Sequence, residues 1–181
     1  ALGGTAGSTT VASGAALQLQ GGIAVGAEAL SLSGSGVTND GALRNISGTN
    51  SYAGGITLAT ASRINSDADL LTLSGGVANT ASGTTAVSAG TLNLNKTAGI
   101  TAVAGNLVIT NAIVTFGTSN QIADTASVTM SGASSFFNNT VFSGQPANRN
   151  LDETIGSLSV TGGVFYPGGS STQTTGFVVT G

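Results

Sequence analysis

Carboxylates are the only side chains in this chain with much capacity for acid–base or metal chemistry, because it contains no His and no Cys. Without imidazole no side chain titrates near neutrality in its ordinary state. Without thiolates there is no Cys nucleophile, no disulfide and no ordinary structural zinc site. Asp67 and Asp69 stand two apart, and on a strand such side chains point to the same side, as a hard cation asks of its oxygen ligands. A calcium site gathers about six to eight oxygens, and no Gly-Gly-x-Gly-x-Asp repeat supplies the rest. Asp67 and Asp69 are therefore weak metal candidates, set against the plainer reading of solvated turn residues. Asp152 and Glu153 are adjacent and project differently, with Arg149 close enough to neutralise one of them. A local charge pair suits them better than the paired acids of a glycosidase. The four basic residues, Arg44, Arg63, Lys96 and Arg149, are too scattered to line the acid-and-base groove of a polysaccharide lyase or hydrolase. The chain is read as non-enzymatic, with no catalytic residue and no cofactor.

The elements that would carry these residues must be built with almost no charge. Of 181 residues only 6% are charged, 29 are Gly and 48 are Ser or Thr, and the net charge is -3. Scattered basic residues give no stripe able to neutralise a run of phosphates, so nucleic acid is not expected as a partner. A membrane span needs about 20 predominantly apolar residues in a row, and Gly, Ser, Thr or Asn interrupts every candidate. Six Phe and two Tyr cannot furnish the aromatic girdles of a membrane barrel. Disorder fails too, since disordered chains are poor in apolar residues and rich in charge. What remains is a β-rich fold solvated by hydroxyls and amides.

Internal repetition supports this. Alternating apolar doublets recur as Leu30-Ser31-Leu32, Leu71-Thr72-Leu73, Leu92-Asn93-Leu94, Leu107-Val108-Ile109, Val128-Thr129-Met130 and Leu158-Ser159-Val160. Their period of two is that of a strand with one buried face. Steps of 41, 21 and 21 residues (30 to 71, 71 to 92, 107 to 128) suggest a period near 20, with 41 read as two turns. The step of 15 from 92 to 107 breaks phase and reads as a move to another face or as a coil of different length. Punctuators such as Asn39-Asp40-Gly41, Gly54-Gly55 and Gly75-Gly76 turn the chain between strands. The expected fold is all-β: a right-handed parallel β-helix, or β-solenoid, with about 20 residues per coil, and residues 1–181 forming one module. About nine coils at roughly 4.8 Å each would make a rod of about 40 Å.

Expected inward residues are Leu30, Leu32, Leu43, Ile56, Leu58, Ile64, Leu71, Leu73, Leu92, Leu94, Val103, Leu107, Ile109, Ile122, Val128, Met130, Ile155, Leu158 and Val160. Asn residues at 39, 45, 50, 65, 93, 95, 106, 111 and 120 could stack as amide ladders. Residues 136–150, which hold Phe136, Phe137 and Phe142, read as a loop excursion that either packs under the rod or forms a contact patch.

Residues 41–58 run Gly-Ala-Leu43-Arg-Asn-Ile46-Ser-Gly48-Thr-Asn50-Ser-Tyr52-Ala-Gly54-Gly55-Ile56-Thr57-Leu58. This run resembles the autotransporter-associated β-strand repeat, also called the passenger-associated transport repeat, whose hallmark is L-x-x-x-G-x-N-x-Y-x-G-G-x-T-[LV]. Further stretches at 63–75, 90–96, 119–129 and 153–158 are similar to it, so the resemblance covers roughly residues 30–163. It implies a right-handed parallel β-helix, secreted or displayed at a bacterial surface, with no catalytic residues to carry over; full-length members add a C-terminal membrane barrel, which these residues do not include, so that the chain is expected to be a fragment, a released product or a use of the repeat without that export route.

The expected function is that of an extracellular structural β-solenoid assembling into a fibre, sheath or surface layer. Its partner would be itself, by end-to-end strand pairing, since the apolar, hydroxyl-rich stretches 1–22 and 172–181 carry no charge to block an edge. The alternative is an adhesin-type passenger rod presenting loops such as 136–150 to cell-surface or matrix glycans. Both place the chain outside the cell or at the bacterial surface, with no membrane span.

Overall fold

The computed structural model describes residues 6–81, 83–132, 136–138, 152–166 and 177–179. In them the chain winds as a parallel β-solenoid. Coil 1 holds β1 (Ser8–Val11), β2 (Leu17–Gln20) and β3 (Ala24–Val25). Coil 2 holds β4 (Ala29–Gly34), β5 (Leu43–Ser47) and β6 (Asn50–Tyr52). In coil 3, β7 (Ile56–Ser66) bends round a corner to serve two faces before β8 (Leu70–Gly75). Coil 4 is β9 (Thr80–Ala81), β10 (Thr85–Val87) and β11 (Thr91–Lys96). Coil 5 pairs at Val103 and continues into β12 (Leu107–Thr110) and β13 (Ile113–Phe116). Coil 6 pairs at Ile122 and continues into β14 (Ser127–Ser131) and β15 (Phe136–Asn138). Coil 7 has β16 (Glu153–Ile155), β17 (Ser157–Val160) and β18 (Val164–Tyr166), and β19 (Phe177–Val179) lies on β16.

Pairing between these strands is parallel throughout, and the registers define three faces. On the first, Leu30 opposes Ile56 and Leu32 opposes Leu58. On the second, Leu17, Leu43 and Ile64 form one column, and Val87, Ile109, Met130 and Val160 another. The third is the most regular, a seven-stranded ladder in which Tyr52, Leu73, Leu94 and Phe116 stack. Their numbers give steps of 21, 21 and 22 residues, so the period near 20 is the length of one turn.

Two readings of the spacing change. Leu30 lies on the first face and Leu71 on the third, so their separation of 41 is not two turns of one column. The step from Leu92 to Leu107 is a passage from the third face to the second. Seven coils are seen among the described residues and β19, stacked on β16, opens an eighth, where about nine were expected, giving a stack about 35 Å long. The reason is that some turns take more residues: the column step is 27 from Val25 to Tyr52 and 30 from Met130 to Val160.

The doublets become strands because alternate side chains enter a single apolar column while their neighbours stay outside. Leu71 and Leu73 are fully buried and Thr72 is only half-buried. Each inward Leu or Ile contributes roughly 1.5–3 kcal/mol by burial, conferred by the coils above and below it. Of the expected inward residues all are buried except Leu158, which is half-buried, and Val160, which is 45% exposed. Among the described strands β17 pairs only with β14, so both residues receive a packing layer from one side. The core also holds Val11, Leu19, Tyr52, Val87, Val114 and Phe116, with Ala42, Ala102, Ala112 and Ala126 filling narrow places.

Corners are tight. Asn39, Asp69, Asn111 and Asn120 adopt left-handed backbone, which Asn and Asp tolerate better than other residues with a side chain. At Gly75, φ is +87° and an added Cβ would lie 2.0 Å from the Ala53 carbonyl oxygen of the coil before. Of the predicted excursion, Phe136–Asn138 form β15, in register with β13 and β18. Residues 139–150 lie outside the described residues.

Candidate functional site

The polar groups the fold positions most deliberately lie at its corners. Between the third face and the next first face, side chains reach across coils to bond backbone. Tyr52 donates to the Glu28 carbonyl at 2.9 Å. Asn79 accepts from the Ile56 N–H at 2.8 Å and donates to the Ala102 carbonyl at 2.7 Å. Lys96, fully buried, donates through Nζ to the carbonyls of Gly54 and Ser74, both at 3.0 Å. Gln121 accepts from the Lys96 N–H at 2.8 Å and donates to the Ile100 and Ser119 carbonyls. Glu153 closes the series: its two oxygens accept from the N–H groups of Gln121 and Ile122 at 2.7 and 3.0 Å. These side chains stand in for ladder partners where the backbone turns away, so buried backbone groups stay paired.

Burial sets the ionisation of these groups, because low-dielectric surroundings disfavour a charge. It pushes Lys96 down to about 8 and Tyr52 up to about 12, the latter helped by the nearby Glu28 charge. It pushes Glu153 up to about 7 against the opposing effect of hydrogen bonds from the backbone of Gln121, Ile122 and Thr154, and the Asp124 charge adds to the rise.

The alternation rule contained the signal for these residues. Lys96 continues Leu92-x-Leu94-x-Lys96, Glu28 precedes Leu30 by two, and Glu153 precedes Ile155 by two. Extending the period one step past Leu94 and one step before Leu30 places Lys96 and Glu28 inward, as observed, and Glu153 stands at the same spacing from Ile155, an expected inward residue outside any doublet. Glu153, read from sequence as part of a local charge pair at an insertion, is 1% exposed and bonds backbone. Arg149 lies outside the described residues.

Asp67 and Asp69 fall in the corner between β7 and β8 rather than on a strand, so the shared side expected of them does not arise. The left-handed backbone at Asp69, with φ of 59°, turns its carboxylate back to the Gly48 N–H at 2.7 Å. Asp67 instead accepts from Arg44 Nε at 2.7 Å and from Asn65 Nδ2 at 3.2 Å. Arg44 also pairs with Asp40. A hydrogen bond from Thr38 and the Arg44 charge hold the Asp40 carboxyl below its usual range. Arg63 donates to the Asn39 carbonyl, so two arginines pin the loop at 35–41, whose tip residue Val37 is 64% exposed. Among the described residues no group of three or more His, Cys, Asp or Glu converges on one point.

The expected amide ladders are not formed: in the described strand registers no Asn opposes another Asn. Asn45 faces Ser66 and donates to it at 2.8 Å, and Asn50 accepts from the Ile23 N–H at 2.5 Å. Within coil 2 Asn50 also donates to Asn45, and the amides otherwise bond neighbouring backbone and hydroxyls, because corner groups that leave the ladder need partners.

Outside, hydroxyls take the places that charges occupy on most proteins. Thr10, Ser31, Thr57 and Thr80 form one row on the first face, and Thr80 donates to Thr57 at 3.1 Å. Ser157 bonds Ser127 at 2.9 Å and Thr110 meets Ser131 at 3.1 Å. Where ionisable residues enter the registers, each opposes an uncharged one: Arg44 faces Gln18 and Asn65, Arg63 faces Ala86, Lys96 faces Gly75 and Glu153 faces Phe177. No protein-family model matches the chain, and neither a curated protein nor a solved structure matches it.

Proposed function

We propose that this β-solenoid is an extracellular structural protein, non-catalytic, that assembles with copies of itself into a fibre, sheath or surface layer. The observation that carries this reading is the uncharged stacking register: no described rung sets a charge against its like. A coil from another copy meets the same kind of surface as a coil from the same chain, and strand addition supplies its main-chain hydrogen bonds. The inward charges bond backbone at corners rather than facing solvent, as a scaffold requires. The resemblance of residues 41–58 to a repeat of secreted bacterial proteins supports placement at the cell surface. The test is electron microscopy and sedimentation of the concentrated purified chain. Filaments or layers with a repeat near 4.8 Å along the rod are expected, and a protein that stays monomeric at high concentration overturns the proposal.

A second reading, an adhesin-type rod binding cell-surface or matrix glycans, is favoured by the pinned loop at 35–41 with its exposed Val37. A loop ordered before contact binds with less entropic cost. Replacing residues 36–40 by a short Gly–Ser turn, or deleting 139–150 so that β15 is spared, should abolish binding to cells while circular dichroism is unchanged. Retention of binding in both variants removes this reading.

A further inference from the structure

Lys96 has a feature that scaffold duty alone does not require. It is the only lysine in the chain and is 0% exposed, whereas lysines are almost never fully buried. A well-packed apolar side chain in such a place is often as stable, so core filling does not account for the choice. What distinguishes the position is its rung. Lys96 opposes Gly75, which has no side chain to block the lysine stem, and the ammonium reaches the carbonyls of Ser74 in β8 and Gly54 in the corner after β6, both at 3.0 Å.

Alternation alone does not fix this rung. A one-residue slip of β11 on β8 turns its leucines outward, but a two-residue slip keeps every side chain on its own side. The corners allow that slip in one direction. Before β11 the corner at 88–90 has no length to give up: an added Cβ on Gly90 would lie 2.1 Å from the Ser66 carbonyl oxygen. After β11, residues 97–102 lead to Val103, whereas coil 2 passes from the third face to the first through 53–55 alone. The chain can therefore move back by two, with residues 93–98 taking the places of 91–96. Leu94 then lies over Leu71, and Ala98 lies over Gly75. Among the inward side chains it is Lys96 that opposes the move, because it enters the third-face column between Leu73 and Phe116. There the ammonium has left both carbonyls, and an unpaired buried charge is strongly unfavourable.

We propose that Lys96 and Gly75 form a register key between coils 3 and 4, admitting β11 onto β8 in one alignment and rejecting the two-residue slip that the apolar pattern tolerates. The chain has no Cys, so introduced pairs report the alignment directly. Thr72 opposes Asn93, at a strand spacing of about 4.8 Å that a disulfide bridges. Asn95 stands two residues further on, roughly 8 Å from Thr72 and out of a disulfide's reach, and takes the place of Asn93 after the slip. Under mild oxidation of the whole chain, Thr72→Cys with Asn93→Cys should cross-link, and Thr72→Cys with Asn95→Cys should not. Adding Lys96→Met, which removes both charge-assisted hydrogen bonds, should raise the second cross-link at least about ten-fold. No rise in folded protein overturns the proposal, as does equal cross-linking of the two pairs with Lys96 in place. Lys96→Met with Ala98→Lys moves the key by two residues, so the 72–95 cross-link should become the dominant one while circular dichroism is unchanged. That variant decides should Lys96→Met alone fail to fold: dominance of the 72–93 cross-link in it, or loss of its fold, overturns the proposal.

Discussion

Lys96 shows how a single residue both strains and secures this fold. Its ammonium is removed from water and spans two carbonyls of earlier coils, Gly54 and Ser74. Because burial lowers its pKa from 10.5 to about 8, the folded protein releases this proton before the unfolded chain does. Its contribution is therefore least favourable below about pH 8 and improves as pH rises towards 10.5. Thermal melts should show stability growing between pH 8 and pH 10 by up to about 3 kcal/mol, and Lys96→Met should abolish that growth. Above about pH 10 the trend reverses as Tyr52, raised to about 12, begins to favour the unfolded chain. Tyr52→Phe deletes the bond to the Glu28 carbonyl and leaves that buried acceptor short of a donor. A loss of about 1–2 kcal/mol in urea denaturation is expected, with little change in the slope of the transition.

At the scale of the strand, stability depends on how closely successive coils approach. Gly75→Ala combines a left-handed backbone at φ +87° with a Cβ 2.0 Å from the Ala53 carbonyl oxygen. The left-handed conformation alone costs on the order of 1–3 kcal/mol, and the overlap forces β8 away from coil 2. Leu73→Ala instead empties a place in the third-face column between Tyr52 and Leu94, at a cost of about 2–5 kcal/mol. Calorimetry should find both variants destabilised. Amide exchange should separate them, with faster exchange centred on the corner after β8 for the glycine and on β6, β8 and β11 for the leucine.

For the whole molecule, scarcity of charge becomes a property of the stack. Thr72 and Asn93 oppose each other on adjacent rungs of the third face. Thr72→Asp with Asn93→Asp places like charges about 4.8 Å apart in strand spacing. The double variant should lose roughly 0.5–1 kcal/mol more than the sum of the singles, and added salt should reduce that excess. Simple additivity would show that charge is scarce for some reason other than rung-to-rung repulsion. The same substitutions should weaken assembly of separate copies, measured by sedimentation, if copies associate through rungs like those within the chain.

Much of this was legible in sequence because period two is a local property: Leu71-Thr72-Leu73 must present one side inward wherever the strand lies. Glu28 and Lys96 were legible by the same rule once carried one step past the doublets, and Glu153 by its spacing of two from Ile155, although an ionisable residue in an inward place invites the opposite reading. Which face each doublet occupies was not legible. Leu30 and Leu71 look alike in sequence, and only the lengths of intervening corners, set by three-dimensional closure of each coil, send them to different columns. Sequence alone determined a stacked, hydroxyl-solvated β chain. Tertiary structure decided where the buried charges find their carbonyl and amide partners, because those contacts join residues one coil or more apart, across corners whose lengths vary.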